Sequence, residues 1–530
     1  MVVKILLLTF LILILFIPII YFNSPNYFVT TTISIARQIE ASGHIPQKPV
    51  ANAGPFWDTH YEQFIHYPGS AILYAIVSII GGMGTCLLTR VPIMIIYVYL
   101  VMVLIFKLFL NDNKKYIPLS AFIAFIFTLH YIALYPHTWM ISYHSLGYFS
   151  HLTVIYILMK IALRDILPKR DEYVVLMLTY LIGVINYYTS SVFSIAFVLG
   201  FSISSILFYK INRINKVISI PLMFLLLFIL FDYIFYVTIA HPKFFTHTIH
   251  YIISSLINIL TSAKTSEKLF QSGTFYQQTR SVAEWALIIF QHLYIIIAPL
   301  LVYLWLLYNS MKNKNVSYIK LIIILSASLL AALSESVSYA YVLGGLTFRY
   351  FSLYVSVVIT SLLLYLNKYK LKVLTLLAIS LIILADYGIV FKEKMIGMWS
   401  IKATLSNLSE YTTLSSLLTN NIVIYTNFQI SGELRFAHVC SLREDRSIIN
   451  NPFVSRIYEL YNTSITNNVT RFISLFYQTI VIFSLYDFTT PVWGDVWGYV
   501  IPPLGFHFMD YVLVKLNICY YSNNFIVVYV

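Results

Sequence analysis

Apolar runs of about 20 residues recur along most of this chain and constrain its fold more than any other feature. A helix of that length crosses ~30 Å of hydrocarbon. Composition agrees, because 59% of the 530 residues are hydrophobic and only 10% are charged. Soluble proteins have about 25% charged residues. The sequence therefore predicts a polytopic α-helical membrane protein.

The runs give about eleven transmembrane helices. The candidate spans are residues 5–22, 91–110, 117–136, 147–164, 172–187, 190–209, 217–239, 284–307, 320–342, 347–366 and 371–391. The first run is too long for a typical signal segment and no small-residue cleavage motif follows it, so we expect it to be retained. The three cysteines show neither a disulfide framework nor a metal-binding spacing.

Lysine and arginine set the predicted orientation. They gather in five connections, near 107–115, 164–170, 210–216, 312–320 and 368–372. Three short connections between them, near 137–146, 188–189 and 343–346, carry none. The positive-inside rule places the basic connections and the N-terminus in the cytoplasm. This orientation requires that HYPGSAILYAIVSIIGG, residues 66–82, lies against the outer interface and does not cross the membrane. Because loop orientation accounts for the net charge of +13, nucleic acid is not an expected partner.

Three longer pieces then face outward: a first loop at 23–90, a loop at 240–283 and a tail at 392–530. In the tail, NNIVIYTN, FYQTIVIFSLYDF and NNFIVVYV are typical of strands, and helices are expected around SGELRFAHVC and NPFVSRIYELYN. We predict a transmembrane domain over 1–391 and a small external α/β domain over 392–530. The protein is expected in the cell membrane, with its C-terminal domain outside.

Ionisable residues inside predicted spans are functional candidates, because burying them in lipid is costly. Each of four lies toward the outer end of its span: Asp232, Glu335, Arg349 and Asp386. Arg349 suits an anionic partner, since a guanidinium matches phosphate oxygens bidentately. Snorkelling, or pairing with Glu335 or Asp386, would explain it equally well.

The first external loop concentrates further polar groups in ARQIEASGHIP and GPFWDTHYEQFIHYPG. Asp58 and Glu62 could act as a general base or hold a divalent metal through oxygen, and His66 follows them. Solvated loop charges are the alternative, and Glu40 is expected on the surface of a short amphipathic helix.

Three histidines recur every seven residues in YPHTWMISYHSLGYFSH, at His137, His144 and His151. His144 and His151 share a face if the segment is helical. A zinc site is one reading, and packing among interfacial aromatic residues is the favoured one. Nucleotide chemistry is not indicated, because the sequence has no P-loop and no GxGxxG motif.

ISIARQIEASGHIP, HYPGSAILYAIVSIIGG and IVIYTNFQISGELRFAHVC together resemble the GT-C superfamily of polyprenyl-phosphate-dependent glycosyltransferases, which includes oligosaccharyltransferases, protein mannosyltransferases and many archaeal members. The first stretch is similar to the family's amphipathic helix, the second to its juxtamembrane helix and the third to the external domain of archaeal members.

The resemblance implies transfer of a sugar from a polyprenyl-phosphate carrier to a protein, lipid or glycan acceptor at the outer face. Arg349 would bind the lipid phosphate, and Asp58 or Glu62 would be catalytic. A polar cavity would hold Glu335, Asp232, Asp386, His66 and His144. Mg²⁺ or Mn²⁺ assists some members, and Asp58 would be its ligand here.

One stretch departs from the family pattern, because NSPNYFVTTTISIARQ lacks the acidic residue expected near the end of the first span. A non-catalytic scaffold or glycan-binding subunit of the same fold is the alternative. A transporter or flippase is less favoured, since no internal repeat is visible.

Overall fold

The fold is known from a computed structural model. It describes residues 27–45, 68–82, 84–88, 93–110, 117–134, 141–164, 170–186, 188–212, 226–231, 234, 282–313, 316–343, 354–366, 424–426, 480–484, 492–493, 500–501, 506–521 and 525–530. The chain divides into two units. The helical unit comprises Met1–Ile17, Pro92–Ser272 and Arg280–Val390, and the mixed unit comprises Pro18–Val91, Gly273–Thr279 and Phe391–Val530.

Most described residues are helical. In chain order the helices are α1 (Tyr27–Ser42), α2 (Gly69–Gly81), α3 (Thr85–Leu88), α4 (Ile93–Phe109), α5 (Ile117–Leu134), α6 (Tyr143–Arg164), α7 (Arg170–Asn186), α8 (Tyr188–Asn212), α9 (Val282–Asn313), α10 (Val316–Leu343), α11 (Ser356–Leu366) and α12 (Phe506–Lys515). The strands are β1 (Ile424–Thr426), β2 (Ile480–Ser484), β3 (Val492–Trp493), β4 (Val500–Ile501), β5 (Asn517–Tyr521) and β6 (Phe525–Tyr529).

Helices α4 to α11 coincide with eight of the predicted spans, although α11 begins only at Ser356, after a wide π-helical turn at residues 354–355. The predicted spans 5–22 and 371–391 lie outside the described residues, and 217–239 lies mostly outside them. Within the described part, Ser145–Leu163 has both the length and the hydropathy of a membrane crossing, and the other apolar helical stretches are 10–17 residues long. The eleven-span arrangement stays a prediction.

Large apolar side chains face outward along the helical unit. Leu178, Leu207 and Leu301 are 53%, 60% and 59% exposed, and similar residues occur on α4 and α9. Soluble proteins rarely expose so much apolar surface, whereas hydrocarbon accommodates it. The outward face therefore agrees with the predicted membrane location.

Helix α6 lies in the core of the helical unit and contacts α4, α7, α8 and α10. Its start is fixed by a reciprocal cap, in which the Ser145 amide donates to the Ser142 hydroxyl (3.1 Å) and the Ser142 amide donates to the Ser145 hydroxyl (2.9 Å). This arrangement satisfies amides that an uncapped helix would leave open. Near its other end, Lys160 forms an ion pair with Glu172 of α7.

Among the described helices, α8 and α10 share the most extensive contact, and small residues allow them to approach closely. A Cβ placed on Gly200 would lie 3.0 Å from the Cα of Ala327 and 3.1 Å from Cδ2 of Leu330. Ala196 and Ser204, one turn to either side of Gly200, are both buried. Small residues four apart are the pattern by which helices pack closely in membranes.

In the mixed unit, α1, α2 and α3 pack on one another. α2 has 13 residues and ends at Gly82, whose φ of 61° favours glycine. At 1.5 Å per residue it is about 20 Å long, which is short of the ~30 Å hydrocarbon layer. It buries Ser70, Ala71, Tyr74 and Ala75 on one face and exposes Ile76, Ile79 and Ile80 on another.

The main sheet of the mixed unit has the order β1-β2-β6-β5, with β1 parallel to β2 and the other pairs antiparallel. Consecutive residues 481–483 and 526–528 are buried, so both faces of the central strands are covered. Phe508 of α12 packs edge-on against Phe483 at 6.1 Å between ring centroids. This double burial explains why FYQTIVIFSLYDF is apolar enough to resemble a membrane span.

The strands predicted in NNIVIYTN, FYQTIVIFSLYDF and NNFIVVYV are confirmed as β1, β2 and β6. Helix α12 and strands β3, β4 and β5 were not predicted. The helices expected around SGELRFAHVC and NPFVSRIYELYN lie outside the described residues. The boundary of the external domain stays a prediction.

Candidate functional site

The helical unit contains a buried polar and aromatic cluster, which we call the His151 cluster. It consists of Tyr131 from α5, Tyr148 and His151 from α6, Phe193 from α8, and Tyr354 from the turn before α11. Each of the five side chains is at most 1% exposed. The predicted topology places all five in the outer halves of their spans. If that topology holds, the cluster lies at the depth where the sequence predicts a polar cavity.

His151 lies at the centre of the cluster. Its Nδ1 is 2.6 Å from the hydroxyl oxygen of Tyr354, and which of the two atoms donates depends on the imidazole tautomer. Its ring stacks on Phe193, with ring centroids 4.3 Å apart and planes 18° apart. Tyr148 meets the His151 ring edge-on at 5.9 Å and the Tyr131 ring edge-on at 5.4 Å. One hydrogen bond and three ring contacts, with Phe193, Tyr148 and Tyr354, therefore hold the imidazole in a single orientation.

Local sequence explains part of this arrangement. Tyr148 and His151 are three residues apart on α6, so the helix places them on the same face. The seven-residue histidine spacing drew attention to His151, with packing among aromatic residues as the favoured reading. The structure confirms the aromatic packing but places His151 in the protein interior and not at the lipid interface, because α8 and the residues before α11 cover it.

Sequence reasoning did not single out Tyr131, Phe193 or Tyr354. It treated aromatic residues near span ends as interfacial anchors, which is their usual role. One sequence signal could have found these three residues: like His151, each of them lies in the outer half of a predicted span. Which of many such residues turn inward depends on how the helices are rotated, and the sequence does not show this.

The residues predicted to be functional lie largely beyond the described part of the chain. Asp58, Glu62, His66, Asp232, Arg349 and Asp386 are outside the described residues. His144 lies in the first turn of α6 and Glu335 lies on α10, and for both only the helical backbone position is described. His144 is two turns before His151 on the same helix. Catalytic and phosphate-binding roles for these residues stay predictions.

A second polar contact occurs in the part of the chain predicted to form the first external loop. The Thr85 hydroxyl donates a hydrogen bond of 2.7 Å to the Glu40 carboxylate, which joins α3 to α1 across 45 residues of sequence. Thr85 is 3% exposed, and Glu40 is partly buried. Glu40 was expected on the surface as a solvated charge. The structure instead holds its carboxylate against a buried hydroxyl, because α3 packs beside the end of α1.

Replacing Thr85 with valine should destabilise the packed helices α1 to α3. Valine keeps the shape of threonine but cannot donate to Glu40, and a hydrogen bond to a charged group contributes roughly 1.5–3 kcal/mol. We expect a loss of about 1–2 kcal/mol because Glu40 is only partly buried. Thermal unfolding of the purified protein in detergent would measure it. Thr85→Ser, which keeps the hydroxyl, is the control, and equal stability of the two variants would contradict the prediction.

Metal ligands do not gather among the residues that the structure describes. In this part of the chain, no group of three or more His, Cys, Asp or Glu side chains is placed to hold a metal ion. Asp58, the predicted ligand for Mg²⁺ or Mn²⁺, lies outside it. The described residues therefore do not test the predicted Mg²⁺ or Mn²⁺ site, which stays a prediction.

No family model and no curated protein matches the sequence. Among solved structures, the chain is similar to ArnT from Cupriavidus metallidurans. The structure of ArnT in the apo state is 10% identical in sequence, and its TM-score is 0.39. That similarity covers 99% of this chain and 97% of the ArnT chain. The structure of the same protein bound to undecaprenyl phosphate is 11% identical, with a TM-score of 0.36. That similarity covers 98% of this chain and 97% of the ArnT chain. At these identities and TM-scores the similarities establish neither the family nor the activity of this chain.

Proposed function

We propose that this protein is a membrane glycosyltransferase, which transfers a sugar from a polyprenyl-phosphate carrier to an acceptor at the outer face of the membrane. The observation that supports the proposal is the packing of α1, α2 and α3 on one another, in the segment that the sequence predicts to be the first external loop. The resemblance implies an amphipathic helix followed by a juxtamembrane helix at this place. α1 buries Thr32, Ile33, Ile35 and Ala36 on one face, and α2 is too short to cross the bilayer.

In the proposed reaction, an acceptor hydroxyl attacks the anomeric carbon of the sugar. The bond from that carbon to the phosphate oxygen breaks, and the polyprenyl phosphate leaves with the electron pair. Asp58 or Glu62 takes the proton of the acceptor hydroxyl as general base. Arg349 holds the phosphate through paired N–H groups and balances the charge that develops on it.

Further polar groups would surround these residues. Glu335, Asp232, Asp386, His66 and His144 would line the cavity between carrier and acceptor. Such groups are costly in lipid, so a polar cavity is the setting in which they are stable. If a divalent cation takes part, the Asp58 carboxylate would hold it through oxygen, as Mg²⁺ and Mn²⁺ prefer.

The test is transfer of a radiolabelled hexose from a polyprenyl-phosphate hexose to cell-surface acceptors by the purified protein in liposomes. General-base catalysis contributes about 10²–10⁴-fold, so Asp58→Asn or Glu62→Gln should lower turnover by at least ~100-fold. Asp510→Asn removes a charge from an exposed position on α12 and should leave turnover unchanged. If the wild-type protein binds the labelled donor but transfers no sugar to any acceptor, the enzyme assignment fails and the scaffold alternative is favoured.

A further inference from the structure

Helix α9 carries a stripe of exposed side chains along one face, which we call the α9 stripe. It consists of Leu301, Leu304, Trp305, Tyr308 and Lys312. The four apolar members are 45–62% exposed, and the lysine at the end is exposed as well. At 3.6 residues per turn these positions fall within about 100° of one another around the helix axis. The opposite face is buried at Val302, Leu306 and Ser310, so the stripe is the outward side of a helix that packs on α10.

Two contacts hold the aromatic part of the α9 stripe in place. The Nζ atom of Lys312 lies 5.7 Å from the centroid of the Tyr308 ring, within the range of a cation–π contact. The Trp305 ring meets the Tyr318 ring of α10 edge-on, with centroids 5.6 Å apart and planes at 89°. The stripe therefore presents a positioned ammonium group beside two oriented rings.

The chemical order along the α9 stripe matches the order of groups along a phospholipid. Leucines come first, then tryptophan and tyrosine, then lysine. The helix rise places Lys312 about 16 Å from Leu301 along the axis, close to half of the ~30 Å hydrocarbon layer. Tryptophan and tyrosine are enriched where hydrocarbon meets headgroups, and a lysine beyond them reaches the depth of the phosphates. One acyl chain and its headgroup therefore fit along the stripe.

Lys312 contributes a positive charge to the end of the α9 stripe. Among the described side chains, no carboxylate lies within ion-pair distance of its Nζ atom. Lys320, near the start of α10, adds positive charge at the same end of the helix pair. The sequence predicts this end to be cytoplasmic, and the cytoplasmic leaflet carries anionic lipids. The group that complements the stripe is therefore an anionic headgroup.

A second copy of this chain complements the α9 stripe less well. Copies inserted in one membrane share one orientation, so a two-fold dimer across the stripe would bring both Lys312 ammonium groups together at the same depth. Like charges repel, and the described side chains provide no carboxylate there to offset the repulsion. An anionic lipid instead supplies the opposite charge.

We propose that the α9 stripe binds one anionic phospholipid from the membrane. Its acyl chain lies along Leu301 and Leu304, its ester region contacts Trp305 and Tyr308, and its phosphate accepts hydrogen bonds from the Lys312 ammonium group. The site uses none of the residues proposed for glycosyl transfer. The inference goes beyond the proposed function and does not depend on it.

Native mass spectrometry of the purified full-length protein in detergent tests the site. Titration with dioleoylphosphatidylglycerol or dioleoylphosphatidylcholine gives the affinity for the first bound molecule of each lipid. The wild type should bind phosphatidylglycerol about five-fold more tightly, the factor that one lysine near a membrane contributes toward anionic lipid. Lys312→Gln should reduce this preference to within about two-fold, and Lys312→Arg should retain it. The matched control is Lys515→Gln, which removes an exposed lysine from the last turn of α12 and should keep the wild-type preference.

Removal of the Tyr308 ring tests the aromatic part of the α9 stripe. Tyr308→Leu keeps an apolar surface but removes the ring face that Lys312 contacts, and it should weaken phosphatidylglycerol binding about two- to five-fold. Tyr308→Phe should bind as the wild type does, because the ring remains. Both substitutions lie on an exposed face, so the Tm of each should stay near that of the wild type. An unchanged Tm separates loss of the lipid site from loss of the fold.

Three results would overturn the inference. Equal affinities of the wild type for the two lipids would show that the α9 stripe does not select an anionic headgroup. An undiminished preference in Lys312→Gln would place the anionic-lipid site elsewhere. A wild-type dimer that Leu301→Gln converts to monomers would assign the stripe to a second copy. Failure of the proposed glycosyl transfer would leave these measurements unchanged, since neither sugar donor nor acceptor takes part in them.

Discussion

Replacing Arg349 with alanine is expected to lower kcat/KM for a polyprenyl-phosphate hexose by about 100-fold or more. Truncating one partner of a hydrogen-bonded charge pair costs about 2–5 kcal/mol, because the other charge is left uncompensated. Arg349 is the basic residue that the predicted topology places at the outer end of a span, at the depth of a lipid phosphate. Steady-state kinetics in liposomes, with kcat and KM determined separately, would measure the loss.

Arg349→Lys distinguishes a bidentate contact from a simple positive charge. Lysine keeps the charge but presents no planar pair of N–H groups, so we expect it to recover only part of the lost activity. Arg213→Ala is the control, since it removes an arginine from a predicted cytoplasmic connection. If Arg349 only pairs with Glu335 or Asp386, its replacement will lower thermal stability and leave KM unchanged, and this outcome would contradict the phosphate-binding role.

Gly200→Leu is expected to prevent stable packing of α8 against α10. Even a Cβ at this position would lie 3.0 Å from the Cα of Ala327, which is a backbone atom and cannot rotate away. A leucine side chain must therefore push the two helices apart. Overpacking typically lowers the free energy of unfolding by about 1–3 kcal/mol. Because Gly200→Leu would also separate a closely packed helix pair, we expect it to lower the free energy of unfolding by about 3 kcal/mol or more.

Unfolding in mixed micelles, with size-exclusion chromatography to detect misfolded protein, would measure the change. Gly200→Ala should cost only about 1 kcal/mol, because part of the strain is offset by the better helix propensity of alanine. Leu199→Phe adds volume to the neighbouring residue, which is 37% exposed, and should stay within about 0.5 kcal/mol of the wild type. Equal stability of Gly200→Leu and Leu199→Phe would show that the helices tolerate separation.

The sequence predicted local structure well where hydrophobicity was the signal. Within the described residues, helices α4 to α11 lie where eight of the apolar runs were found, and β2 is a buried strand. The sequence was less informative for short amphipathic elements such as α12. The candidate site was anticipated only as a polar zone in the outer half-spans. Tyr354 was not anticipated, because tyrosines are frequent near the ends of predicted spans and most serve as anchors.

Taken alone, the sequence determined that long apolar helices form and where most of them begin and end, since chain-local hydropathy and charge decide these properties. Only the tertiary structure decided which faces turn inward. Both faces of such helices are apolar, so no periodic pattern marks the buried side. The contacts of His151 with Tyr354, Glu40 with Thr85, and Gly200 with Ala327 all join residues distant in sequence, and each exists because of how the helices pack.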